Sequence, residues 1–167
     1  MEFGYTDEQL EIERAVTAIC KRFDADYWRT KDRDGGFPLD FHAAFAQAGW
    51  LGIAMPVEVG GAGLGITEAA IMMRTISGSG AGMSGASAIH MNIFGLHPVV
   101  VNGTAEQKQR WLPPLIAGQH KACFGVTEPN TGLNTLKLKT RAERRGDHYV
   151  VNGQKVWIST AQVAHKI

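Results

Sequence analysis

Apolar residues recur at steps of three and four from the start of the chain. Ile12, Val16, Ile19, Phe23 and Tyr27 keep this period, which predicts an amphipathic helix. Thr6 and Gln9 stand where a capping box would open it. Arg29 to Gly36 reads as a polar loop. Pro38 and Asp40 then open a shorter helix with Phe41, Ala44, Phe45 and Ala48 on one face, and Gly49 takes the place of a C′ residue. Trp50 to Gly65 ends in the tight loop Gly60-Gly61-Ala62-Gly63-Leu64-Gly65. Thr67 is read as the cap of a third helix that runs to about Ile76. An apolar helix follows from the small residues of 78–85 to about Phe94. Thr104 and Gln107 form a second capping box, before a helix containing Trp111 that Pro113-Pro114 is expected to end.

The period then shifts from helical to alternating. Lys121 to Thr127 reads as a buried strand. Leu136, Leu138, Thr140 and Ala142 alternate with Lys137, Lys139, Arg141 and Glu143, the pattern of a half-buried strand. Arg145-Gly146-Asp147 reads as a turn. His148 to Val151 and Gln154 to Ser159 flank Asn152-Gly153, a strong hairpin signal. The fold class expected is therefore α+β. An N-terminal all-α helical domain, residues 1–118, is followed by an incomplete antiparallel β-domain, residues 119–167. Four short strands in that span leave open edges and an uncovered face, so the sequence reads as cut inside a domain.

Composition narrows the function. Apolar residues make up 44% and charged residues 20%, ordinary for a globular chain with a buried core. Seventeen basic and sixteen acidic side chains leave a net charge of +1. That balance argues against nucleic acid, which calls for a basic stripe. Cys20 and Cys123 form no CxxC pair, and the six histidines are scattered, which suits neither a disulfide framework nor a metal motif. The stretch Met1-Glu2-Phe3-Gly4-Tyr5-Thr6-Asp7-Glu8 is acidic where a signal peptide is basic. No run approaches the ~20 apolar residues of a membrane span. A cytoplasmic location is the expectation.

Gly80-Ala81-Gly82-Met83-Ser84-Gly85 matches G-x-G-x-x-G, with Glu106 roughly twenty residues on. The dinucleotide fingerprint needs a strand before it, and Ala69 to Ile76 reads as helix. Small residues that let helices approach, or leave room for a ligand chain, are the better account.

The late motifs are more specific. Cys123-Phe124-Gly125-Val126-Thr127-Glu128-Pro129-Asn130-Thr131-Gly132, then Asn152-Gly153-Gln154-Lys155-Val156-Trp157-Ile158-Ser159, resembles the acyl-CoA dehydrogenase family. The family pattern is a T-E-P-x-x-G-S-D loop and an N-G-x-K-x-W-I-[ST] segment. Gly49-Trp50-Leu51-Gly52-Ile53, Pro56 with Gly60-Gly61-Ala62-Gly63, Gly103-Thr104 with Gln107-Lys108, and Trp111-Leu112-Pro113 with Gly118 agree with it. The resemblance covers nearly the whole chain. It implies an all-α N-terminal domain, the first part of a middle β-domain, and FAD as cofactor.

A flavin that takes a hydride at N5 gains charge at its N1–C2=O edge, so fixed donors at both places favour the reduced state. Thr127 offers a backbone N–H and a hydroxyl for the pyrimidine edge, with Val126 beside it. Ser159, read as the end of the last hairpin strand, offers a hydroxyl towards N5. Trp157 shares its strand face and covers the ring, with Ile158 between the two. Phe124 matches an aromatic position of the family's flavin wall. Gly132 and the N–H of Leu133 match a phosphate-binding turn, but Leu133-Asn134 replaces the family's Ser-Asp, which removes a hydroxyl and a charge. Each residue has a plainer reading: strand-end hydroxyls for Thr127 and Ser159, core packing for Trp157. Glu128 reads as a hydrogen-bond anchor rather than a base. Lys137, Lys139 and Arg141 read as a solvated face, and Met72, Met73, Met83 and Met91 as helix core rather than an acyl tunnel.

The resemblance implies α,β-dehydrogenation of acyl-CoA thioesters, with a carboxylate taking the α-proton. In the family that glutamate lies in a C-terminal helical domain and has no counterpart among these residues, so no catalytic base is named. It further implies an electron-transfer flavoprotein as acceptor and a homodimer or homotetramer. Two other readings stand beside it: a flavin oxidase or monooxygenase of the same fold, and a non-catalytic acyl-binding module.

Overall fold

A computed structural model describes residues 4–167; the first three residues of the acidic N-terminal stretch lie outside them. Helix α1 spans Asp7–Cys20 and opens on the expected box, in which the Gln9 N–H donates to Thr6 Oγ1 and the Thr6 N–H to Gln9 Oε1, both at 3.2 Å. It buries Ile12, Val16, Ile19 and Cys20. The helix does not run on to Tyr27. Asp24 interrupts it, accepting the Tyr27 N–H at 2.9 Å and capping a second helix, α2, at Ala25–Asp34. A short polar side chain that competes for backbone donors restarts the helix in a new direction. Most of the stretch expected as a polar loop is therefore the solvated part of α2, and only residues 35–38 connect it to α3 (Leu39–Gln47). The change of direction gathers four aromatics: the Phe41 ring centroid lies 5.1 Å from Phe23, 5.0 Å from Trp28 and 4.8 Å from Phe45.

Helix α3 closes on Gly49 at φ +80°, the left-handed position that a β-carbon disfavours. Two 3₁₀ turns, Trp50–Gly52 and Val57–Val59, carry the glycine loop back over themselves. Helix α4, Ile66–Ile76, starts at Gly65, whose N–H donates to Glu68 Oε2 at 3.0 Å. Thr67 lies inside its first turn and is not the cap: Glu68, three residues past Gly65, supplies the acceptor. A π-turn at Ser77–Ala81 leads into α5, Gly82–Phe94, which buries Ala86, Ala88, Ile89, Met91 and Asn92. The G-x-G-x-x-G run is thus a joint between two helices, with no strand before it among the described residues. Met72 and Met91 are buried and Met83 is exposed.

Helix α6 (His97–Asn102) precedes α7 (Ala105–Ile116), which opens on the second expected box. Pro113 and Pro114 do not end α7. They forfeit only the bonds that would go to the carbonyls of Gln109 and Arg110, and both of these residues are exposed. Pro113 and Pro114 still accept from Ala117 and His120 at 2.9 Å. The helices close two apolar clusters, one centred on Phe41, Phe45, Met72 and Ile89, the other on Met55, Leu112 and Leu115.

After α7 the chain forms fewer strands than expected. β1 (Arg141–Arg145) and β2 (His148–Asn152) pair antiparallel around Gly146-Asp147, with Arg141 opposite Asn152 and Arg145 opposite His148. The α+β class stands: helices first, then a small antiparallel sheet. Three strand expectations do not. Lys121 to Thr127 is extended but makes only one bridge, Ala122 with Lys166. Leu136 to Thr140 lies outside the sheet; Thr135–Lys137 is a 3₁₀ turn and Leu136 is exposed. The N–H groups of Lys139 and Thr140 are spent on the Glu128 carboxylate instead of a neighbouring strand. Asn152-Gly153 is not a hairpin turn. β2 stops at Asn152, and a β-carbon on Gly153 would sit 2.1 Å from Thr140 Oγ1. Glycine is required there by the close approach of another segment.

Candidate functional site

The C-terminal region is organised by one carboxylate. Glu128 lies at the start of the turn Glu128-Pro129-Asn130-Thr131, closed by reciprocal backbone bonds between Glu128 and Thr131 at 2.9 and 3.1 Å. Its side chain is buried and accepts the N–H of Lys139 at 2.7 Å, the N–H of Thr140 at 2.8 Å and the Lys155 ammonium at 3.0 Å. The nearby Thr140 hydroxyl, then these two N–H groups and, more weakly, Lys155, hold the carboxylate down to about 2. Thr140 Oγ1 is itself buried without a well-aligned partner of its own. The expected role of Glu128 as an anchor is what these bonds describe.

Lys155 has a second acceptor, the Val126 carbonyl at 2.9 Å, and the next N–H along, that of Val156, donates to the Thr127 carbonyl at 3.0 Å. Two of the candidate residues, Val126 and Thr127, are therefore pinned by backbone to the start of the segment that carries three others, Trp157, Ile158 and Ser159. That segment is not the strand that was expected. Trp157 has φ +58° and Thr160 φ +69°, a left-handed backbone unusual for bulky or β-branched residues and costing about 1–3 kcal/mol each. Trp157 is 91% exposed, so it is not core packing. Ile158 is half-buried, and its carbonyl accepts the Ala161 N–H.

Ser159 follows in a hollow of about 260 Å³ against α5, with Phe37, Ser84, Ser87 and Ala88 among its walls. Thr127 is not among the residues lining it. The hollow is below the ~300–1,000 Å³ of ordinary ligand pockets. Among the described residues, neither the Thr127 nor the Ser159 hydroxyl is engaged in a hydrogen bond. Phe124 stands elsewhere, edge-on to Phe94 at 5.7 Å. It walls an apolar hollow of about 460 Å³ together with Leu96, Val99, Val151, Lys155 and Ile167. Gly132 and Leu133 are exposed, and nothing lies within 4 Å of a β-carbon built on Gly132.

The eight candidate residues thus fall into three places: Val126 and Thr127 joined to Trp157–Ser159, Phe124 against the helices, and Gly132-Leu133 on an open turn. Sequence reasoning missed Lys155, Thr140 and Gly153. Lys155 lies within the quoted motif, and a lysine followed by an apolar β-branched residue and a tryptophan is the signal that could have drawn attention to it.

Comparison with known proteins bears on the family of the chain. Residues 6–119 match the family model for the acyl-CoA dehydrogenase N-terminal domain, and residues 123–167 match the model for the acyl-CoA dehydrogenase middle domain. Mitochondrial isovaleryl-CoA dehydrogenase of Bos taurus is 33% identical over 158 residues, which cover 93% of this chain and 37% of the relative. A solved glutaryl-coenzyme A dehydrogenase in complex with glutaryl-CoA superposes with a TM-score of 0.88 at 25% identity, covering 98% of this chain and 42% of that one. The FAD complex of PigA shares the fold, with a TM-score of 0.89 at 20% identity over 98% of this chain and 43% of that one. The chain spans about two fifths of the length of the curated relatives it matches. From the helical region through the Glu128 turn to the last residue, it belongs to the acyl-CoA dehydrogenase family.

Proposed function

We propose that this chain contributes to an FAD site that serves the α,β-dehydrogenation of acyl-CoA thioesters. The observation that carries this reading is the backbone junction at Thr127 and Val156. It brings a free hydroxyl on Thr127 into register with a segment that presents an exposed, strained Trp157 and a second free hydroxyl on Ser159. Unengaged donors and an uncovered indole suit a flat, polar-edged ring system. Held by these residues, FAD would supply a two-electron oxidant for the β-hydrogen, which leaves as hydride.

The chain's own residues bind and orient. Thr127 offers its hydroxyl and N–H together, Ser159 offers a hydroxyl, and Trp157 offers a face that excludes water. Val126 and Ile158 hold the backbone on which these donors stand. Phe124, Gly132 and Leu133 are the outer members of the proposed site, at the helical boundary and on the open turn. Glu128 takes no proton from substrate: a carboxylate held near 2 and engaged by two N–H groups and an ammonium is too weak a base. The base belongs to sequence that the longer relatives have and that residues 1–167 do not match. Reduced cofactor would pass electrons to an electron-transfer flavoprotein, and a homodimer or homotetramer would complete the site. The domain division at residues 118–119 belongs to the same proposal. Among the described residues no helix is long and apolar enough to cross a membrane.

Protein purified from its own reading frame tests the proposal. The expected result is a visible flavin absorbance band, bleached on addition of an acyl-CoA. The double change Thr127→Val with Ser159→Ala is expected to weaken FAD binding roughly a hundredfold, about 1.4 kcal/mol per lost donor. Protein that stays colourless and takes up no FAD on titration overturns the reading.

A further inference from the structure

Lys155 is three-quarters covered, with its side chain at 24% exposure. Its ammonium touches two acceptors, one in the turn and one just before it: Glu128 Oε1 at 3.0 Å and the Val126 carbonyl at 2.9 Å. The Val156 N–H meets the Thr127 carbonyl one step further. Three segments therefore converge on one side chain: 126–128, 139–140 through the shared carboxylate, and 155–156. A part-buried ion pair is poor evidence for stability, because desolvation offsets its attraction. The two acceptors divide the labour unevenly. Glu128 keeps the Lys139 and Thr140 N–H groups whatever happens at position 155. The Val126 carbonyl has no other partner among the described hydrogen bonds.

We propose that Lys155 is a positioning residue for the flavin site: by holding the Val126 carbonyl it fixes the Val126–Thr127 peptide plane, and with it the aim of the Thr127 N–H and hydroxyl relative to Trp157–Ser159. This rests on the FAD reading above. Removing the ammonium leaves the Glu128 turn closed and the helices untouched, but frees that peptide plane to rotate. The role asks for two donors at about 3 Å on a long stem. Arginine supplies these, whereas methionine supplies the stem alone.

The test compares wild type, Lys155→Met and Lys155→Arg in FAD titration, in the shape of the bound-flavin absorbance band, and in hydrogen exchange at the Val156 amide. Lys155→Met is expected to raise the FAD dissociation constant at least roughly tenfold, shift the band, and speed exchange at Val156, while the thermal unfolding of the helices stays put. Lys155→Arg is expected to recover most of the affinity and the band. A Lys155→Met protein that binds FAD as tightly as wild type, with an unchanged band, overturns the positioning role and leaves the flavin reading intact. Wild type that binds no FAD overturns both. Should Lys155→Met not fold, Lys155→Gln, which keeps one donor, decides: roughly threefold or greater loss of affinity supports the role, and no loss overturns it.

Discussion

The helical region and the region after Gly118 are stabilised by different physics. The first packs Phe41, Phe45, Met72, Ile76 and Ile89 out of water around one apolar cluster. Its polar bonds are mostly helix ladders and caps. The second buries only Ala122, Cys123, Glu128, Thr131 and Thr160, while Leu133, Leu136, Tyr149, Val151 and Trp157 stay exposed. Directional bonds hold it instead: a carboxylate with three donors, one lysine with two acceptors, and a two-stranded ribbon that would be marginal alone. Non-directional burial tolerates small shifts, whereas such a polar junction fixes geometry. Fixed geometry is what a cofactor site needs, and binding residues commonly sit on irregular segments carried by a packed scaffold.

The largest effect that separates the two regions is a cavity in the first. Phe41 is fully buried and meets Phe23, Trp28 and Phe45. Phe41→Ala is expected to cost about 3–5 kcal/mol, read as a fall in the urea midpoint of the helical far-ultraviolet signal. Trp157→Ala, which removes a side chain of comparable size, is expected to leave that midpoint unchanged. Equal losses from the two changes would show that the regions unfold as one unit with a shared core.

Acid sharpens the contrast next. Burial, and then the charge of Lys121, pushes His42 down to about 4 from its ordinary 6.5. The unfolded chain therefore binds a proton that the folded chain refuses. Stability is full above about pH 6.5 and declines as pH falls towards 4, by up to about 3 kcal/mol. Glu128, held near 2, acts with the same sign in a lower window: its contribution is present above about 4.5 and is lost as pH falls towards 2. Chemical unfolding from pH 7.5 to 4.5 is expected to weaken the helices first, with Val156 amide protection persisting. His42→Phe should flatten the decline; an unchanged slope in that variant would assign the acid sensitivity elsewhere.

Gly153 gives a smaller effect confined to the second region. A β-carbon there meets Thr140 Oγ1 at 2.1 Å and the Thr140 Cα at 2.7 Å, so Gly153→Ala must part the two segments. The expected cost is about 1–3 kcal/mol, visible as faster exchange at Thr140 and Val156 with the helical midpoint unmoved. Gly153→Ala with Thr140→Gly should restore only part of the protection, because the Thr140 Cα still lies 2.7 Å from the added carbon. Full restoration would place the whole strain in the Thr140 side chain.

Legibility in the sequence followed the same division. Caps and periodicity located most of the helices, though not α6, because Thr6, Gln9, Thr104 and Gln107 act within one turn and burial repeats every three or four residues. The misreadings there were local competitions, such as Asp24 claiming a backbone donor, and prolines tolerated where the lost bonds face water. After Gly118 the alternation at Leu136–Ala142 carried no such force. Whether it becomes a strand depends on where Glu128, eleven residues back from Lys139, directs its oxygens. Gly153 looked like half of a turn and is half of a contact with Thr140. The candidate residues were legible as a motif, whereas the lysine that joins their two halves depends on a pairing twenty-seven residues apart in sequence, which no period records.

The smallest effect asks whether the helical region supports the second one at all. Ala122 packs with Leu112 and Leu115 of α7, and Asn92 of α5 donates to the Leu115 carbonyl at 3.0 Å. Helix α7 is thus the bridge between the two kinds of structure. Its opening turn depends on Thr104, whose hydroxyl accepts the Gln107 N–H at 3.2 Å while Gln107 Oε1 accepts the Thr104 N–H at 2.9 Å. Thr104→Ala is expected to cost about 1 kcal/mol, and Thr104→Ser to restore it. If α7 transmits its order to the junction, exchange at the Cys123 amide, which donates to the Lys166 carbonyl at 2.9 Å, rises with the loss at α7. If exchange at Cys123 does not change while the amides of α7 speed up, the polar junction is self-supporting, and the helices serve only as the wall against which it stands.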